Sequence, residues 1–384
     1  MSSQLFRAIV AKDVQSISKM LSVLRTQSHW SLVSFIDEMV PCMLMETNLQ
    51  FHNFHLVKMG LFLRKLAVER YFSAATEYEL LRLVSSELVQ RQWFRLQVEP
   101  LRDGEAEKYA SQQQLLNALS EQNAHNAFYY VQGLLNTEPE ATIQLLLTLG
   151  ALHIPDNLGH SLSCFFPVAE HLFYTLHPHT STALLSYVMF LCRFKTSPDV
   201  LSAIQAKQHH PKEMAQLLKV AASGSSIVDL HHMITLYVFT EWRHAAFNPE
   251  HNVPFELLLE WIGPKPIDRA RESRMEQMSY VTLVPHTYAE FVQGFSLDDL
   301  DQTIAMIITL LENEPGKAID WTFRTYAGYY SLGRWDPHYF TSLYAAFHFF
   351  LQDDIEDIVA ARMAVEQAMR YFAAGVAEIV KRDV

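Results

Sequence analysis

"DDIEDIVAARMAVEQAMRYFAAGVAEIVKR", residues 353–382, decides the fold class. The stretch is long and strongly helix-favouring, acidic at its start and basic at its end, an order that complements the helix dipole. Its apolar residues Ile355, Ile358, Val365, Met369, Phe372 and Val376 recur at helical spacing and form a stripe that needs a partner surface. Arg362 falls in the one gap, where its stem can lie along the stripe with the charged head in water.

The rest of the chain repeats this period. "SLVSFIDEMVPCMLM" (31–45) has apolar residues at helical spacing and a late Pro41. "TEYELLRLVSSELVQRQWFRL" (76–96) opens on a Thr cap, and "SLDDLDQTIAMIITLLE" (296–312) on Ser296 with Asp298 and Asp299 close behind. Glycine is scarce, at 12 residues, and hairpin signals are lacking. Only "MSYVTLV" (278–284) favours an extended conformation. The expectation is an all-α protein, a large multi-helix globular bundle in one or two lobes, with at most one short strand pair. The charged stretch 98–111 marks an internal boundary. It sets an N-terminal helical subdomain (1–97) against a main helical subdomain (112–384), the two forming one compact unit. No repeat of fixed period supports a solenoid.

Composition excludes several classes. The 384 residues are 49% hydrophobic and 19% charged, which rules out global disorder. The 30 basic residues against 42 acidic ones give −12, with no basic block, so nucleic acid is not expected as a partner. Three widely spaced cysteines, Cys42, Cys164 and Cys192, form no CxxC and read as buried thiols of a reducing compartment. The start lacks a signal-peptide pattern, and no apolar run reaches 18 residues. A cytoplasmic protein without a membrane span is expected. Aromatics at 12% can line an apolar cavity.

The unusual feature is 18 histidines. His177, His179, His209, His210 and His251 lie in polar, turn-like text. Others lie in apolar helical text: His52 and His55 three residues apart, His160 behind Gly159, His171, the pair His231–His232 behind Asp229, His286 and His348. Each alone is an ordinary hydrogen-bonded histidine. Together they are costly to bury without partners, and one shared metal ion would partner several. His55 begins a continuous apolar run and is expected to face inward as a ligand, with His52 at the helix rim. No HExxH occurs, and Glu241–His244 is a single ExxH, too little for a di-iron carboxylate site. GxGxxG, Walker A and GxSxG are absent. "SGSS" (223–226) reads as a helix cap, and Cys164, in apolar text without a basic neighbour, reads as a protonated thiol.

Three histidine-bearing segments resemble the questin oxidase-like family: "HNFHLVKMGLFLRKL" (52–66), "LGHSLSCFFPVAEHL" (158–172) and "LHHMITLYVFTEWRHA" (230–245). The resemblance covers about two-thirds of the chain. It implies an all-α oxidoreductase carrying out O₂-dependent oxidation of an aromatic or polyketide-like substrate at a His-held non-haem iron. In part of that family a modified lysine is a further ligand. Carried over by position, the ligands are His55, His160 and His232. The family's later His and Lys, three residues apart on one helix, fall in "AIDWTFRTYAGYYSLGRWDPHY" (318–339) on Asp320 and Phe323, with Lys317 out of register. On that placement the pair is missing, and His286 is the substitute offered as a fourth ligand. The resemblance implies a hydrophobic aromatic small molecule as the partner. The alternative reading is a non-catalytic helical interaction protein with structural histidines and no metal. Convergence of at least three imidazole nitrogens separates the two.

Overall fold

A computed structural model describes residues 2–24, 30–44, 55–90, 101, 105–173, 180–197, 213–244, 253–263, 265–278, 284–330, 336–352 and 357–380. Among them every regular element is a helix and none is a strand. The "MSYVTLV" segment, His52 and the stretch 91–100 lie outside the described residues or nearly so. No helix among the described residues is long and apolar enough to cross a membrane.

The centre is the helix His55–Val68, whose residues His55–Leu63 are all buried. A stretch buried on every side belongs in the interior of a large bundle. Gly60 lets it approach the helix Leu32–Leu44, since a Cβ there would lie 2.8 Å from Met43 Sδ. Two further long helices pack around it, Ile227–His244 and His338–Leu351. The second touches both of the others. The segment 158–173 closes the remaining side. Pro167 lacks the N–H that a continuous helix needs, and the chain divides here into His160–Ser163, Phe165–Val168 and a π turn, Ala169–Phe173.

The elements before and after the charged stretch pack on one another directly. The His55–Val68 helix contacts His338–Leu351, and Ala74–Gln90 contacts Pro315–Tyr329.

Three local expectations need correction. Thr76 lies inside its helix, whose start at Ala74 is served by the Ser73 hydroxyl. Asp299, not Ser296, caps the helix Leu300–Asn313, accepting from Gln302 N at 3.3 Å. In the final helix, Ile358–Val380, the residues Val365, Met369, Phe372 and Val376 are buried, but Ile358 is exposed and Ile355 is outside the described residues. The Arg362 head does not reach water: it is buried, donating to Glu312 Oε1 at 2.8 Å and to the Met275 carbonyl at 3.1 Å.

Candidate metal centre

Four helices each place one imidazole near their first turn: His55, His160, His231 and His338. One ligand atom from each lies within 4.8 Å of all the others. The Nε2 atoms follow one another around a ring: His55 to His160 at 2.6 Å, His160 to His231 at 2.9 Å, and His231 to His338 at 3.0 Å. Ring centroids give the same order. Neighbours lie 4.3–4.6 Å apart, while the pairs His55–His231 and His160–His338 lie at 6.2 and 6.5 Å. Four short sides and two long diagonals describe a near-square set. With metal–nitrogen bonds of about 2.05 Å, a tetrahedral site would hold all its nitrogens about 3.4 Å apart, and right-angled ligands about 2.9 Å apart. The His160–His231 and His231–His338 contacts are near the right-angle value, and the His55–His160 contact is shorter than either.

The outer nitrogens explain why the inner ones face one another. His160 Nδ1 donates to the Asn157 carbonyl at 2.5 Å, His231 Nδ1 to the Ile227 carbonyl at 2.7 Å, and His338 Nδ1 to Asp336 Oδ1 at 2.5 Å. A neutral ring that carries its proton on Nδ1 has only a lone pair on Nε2. The His160–His231 and His231–His338 approaches are then lone pair against lone pair, and a cation between them relieves the repulsion. Burial, then neighbouring imidazoles and Lys58, hold His55, His160 and His231 well below the usual histidine range, so they stay neutral and able to ligate. His55, His231 and His338 are buried and His160 keeps a part of its surface exposed.

A second layer fixes the first. Asp336 accepts from His338 through one oxygen and from Tyr371 Oη through the other at 2.6 Å. Burial would raise its carboxyl, but His338 and Tyr371 hold it at about 2. Gly159 adopts φ 75°, and a Cβ there would run into Thr235, one turn beyond His231. Only glycine lets the His160 turn sit this close to the Ile227–His244 helix.

Lys58, three residues after His55, is fully buried, with Nζ 3.4 Å from Ser163 Oγ. Among the described residues no carboxylate lies within ion-pair distance of it, and burial lowers its pKa. Cys164 therefore does have a basic neighbour. Its thiol is nonetheless pushed up by burial, with Lys58 pulling the other way.

Of the four residues expected from the sequence, His55 and His160 are in the group. His232 and His286 are not. One residue along a helix turns the side chain by about 100°. His231 takes the central position, while His232 faces Trp261, with Nδ1 3.4 Å from Lys265 Nζ. His286 lies at the head of the Tyr288–Gly294 helix, its backbone N–H donating to Glu290 at 2.7 Å. Asp320 accepts from Ser73 N at 2.7 Å, and Phe323 packs among Phe72, Phe340 and Phe347. The fourth imidazole is His338, inside the same stretch 318–339 but at its far end. The signal was "DPH" (336–338), an Asp placed two residues before a histidine at a helix start. The single ExxH holds no metal through Glu241, which pairs with Lys65 and with His348 at 2.7 Å.

No family model, curated protein or solved structure matches the chain.

Below the imidazoles the three long helices run parallel and in register. Seven residues past His55 comes Phe62, and six past His231 and His338 come Tyr237 and Tyr344. Phe62 stacks on Tyr344 at 4.3 Å, and Tyr237 Oη donates to Tyr344 Oη at 3.2 Å. Ten residues past each histidine come Lys65, Glu241 and His348, joined as one ion-paired set. Imidazole, aromatic and charged tiers thus succeed one another over about 15 Å of helix.

Proposed function

We propose that the protein is a metal-dependent oxidoreductase of the questin oxidase-like type, in which His55, His160, His231 and His338 hold a non-haem iron and an aromatic or polyketide-like substrate is oxidised with O₂. The observation that carries this reading is the convergence of the Nε2 lone pairs while three of the outer nitrogens are held by carbonyls and a carboxylate. Imidazole suits iron, copper, nickel and zinc, and the choice of iron rests on the sequence resemblance. The lysine that the resemblance expects falls at Phe323, and Lys58, three residues after His55, stands outside that placement.

When bound, iron supplies the O₂ activation and redox chemistry. The chain's own part is to hold and orient. Asn157, Ile227 and Asp336 keep the protons of three imidazoles on Nδ1. The aromatic tier of Phe62, Tyr237 and Tyr344 closes the floor against water.

The test is metal analysis of untagged protein. About one iron per chain is expected, lost in His231→Ala and His338→Ala and retained in His232→Ala and His286→Ala. Equal metal content in all four variants, or none in the parent after iron supplementation, would sink the proposal and favour structural histidines.

A further inference from the structure

A cavity of about 300 Å³ opens beside the aromatic and charged tiers, at the small end of the range for ligand pockets. It lies beyond the aromatic floor of the imidazole group, about 10 Å along the helix from His55 to Phe62. Its apolar wall includes Phe62, Phe166 and Tyr237, and its rim carries Arg64, Lys65, Glu170 and His171.

The rim charges are not equivalent. Arg64 is engaged by Asp37, with contacts of 2.6 and 3.2 Å, and the same carboxylate meets His171 at 3.0 Å. Lys65 is engaged by Glu241. Both rim cations are thus already neutralised by carboxylates of the protein. Glu170 is different: its side chain is exposed into the opening, and among the described residues it has no ion-pair partner. Desolvation pushes its carboxyl up, with Lys65 pulling it down and Glu241 pushing it further up. Glu69 adds to the negative potential on that side.

An apolar, ring-lined cavity with a carboxylate at its mouth that shares its one nearby cation, Lys65, with Glu241 matches a ligand that joins an apolar body to a cationic head. Aromatic faces and a carboxylate both attract such a head. A carboxylate ligand would meet Arg64 and Lys65 already paired and Glu170 as a like charge. We infer that this cavity is a binding site for a small organic ammonium compound, an aryl-alkyl amine in chemical class, with Glu170 as the anionic contact and Phe62, Phe166 and Tyr237 around the apolar part. The site is separate from the imidazole group and does not depend on the metal reading.

The experiment is isothermal titration calorimetry of the full chain with three probes of similar size: 2-phenylethylammonium, phenylacetate and 2-phenylethanol. The ammonium compound is expected to bind at least tenfold tighter than either of the others. Glu170→Gln should weaken it at least tenfold while leaving the thermal midpoint and the metal content unchanged, since the side chain is exposed and outside the imidazole group. Tighter binding of phenylacetate would overturn the inference and assign the cavity to Arg64 and Lys65. Equal binding of all three, an ammonium affinity indifferent to Glu170→Gln, or no saturable binding would each overturn it as well.

Discussion

Asp336 is the residue whose chemistry reaches furthest from its own position. Its carboxylate fixes both the tautomer and the tilt of His338, and Tyr371 holds the carboxylate in turn. Asp336→Asn keeps the shape but offers an amide where an anion stood. Metal affinity should fall about 10- to 100-fold, read by competition with a chelator, and Tyr371→Phe should give a smaller loss in the same direction. Unchanged affinity in Asp336→Asn would show that His338 needs no anchoring. Gly159→Ala would force a β-carbon into left-handed backbone and against Thr235, with an expected cost of about 1–3 kcal/mol in urea denaturation. At this scale the sequence was only partly legible. His55 and His160 could be read because each opens an apolar helix. His231 and His232 could not be told apart, because Leu230–Thr240 is buried on every side and carries no amphipathic phase. His338 was hidden by the placement of the pair at Asp320 and Phe323 in the same stretch.

Between helices, the charged tier holds the three parallel elements at their far ends. Burial would raise the Glu241 carboxyl, but His348 and Lys65 hold it at about 2, against an ordinary 4.5. A carboxyl whose folded pKa is depressed contributes stability above its unfolded pKa and loses it as the pH falls toward its folded one. The stability difference between the parent and Glu241→Gln should therefore be full above about pH 5 and worth about 2–4 kcal/mol. It should shrink as the pH drops from 4.5 toward 2. Denaturation curves at a series of pH values check this, and a difference that stays constant with pH would contradict the pairing. The parallel register itself was not legible. Local periodicity fixes each helix and its faces, while the alignment of residues 55, 231 and 338 depends on contacts separated by more than a hundred positions.

For the whole molecule the final helix is the critical seam. Ile358–Val380 packs on His338–Leu351, Glu213–Ala221, Arg269–Gln277 and Leu300–Asn313. Burying Val365, Met369 and Phe372 contributes about 6 kcal/mol, close to the low end of a domain's net stability. Truncation after Gln352 should leave insoluble protein or a chain without a cooperative thermal transition. A truncated chain melting sharply at the parent's temperature would refute that role. Far-ultraviolet circular dichroism of the full chain should show well under a fifth strand. The all-α class was readable throughout because helical periodicity is a local property, repeated in segment after segment. The common direction of the three long helices has an electrical consequence. Each presents its amino end, where the peptide dipoles leave partial positive charge, to the imidazole group, and Asp336 offsets only part of that field. A buried, positively biased cage of neutral ligands favours the lower charge of any ion that can take two.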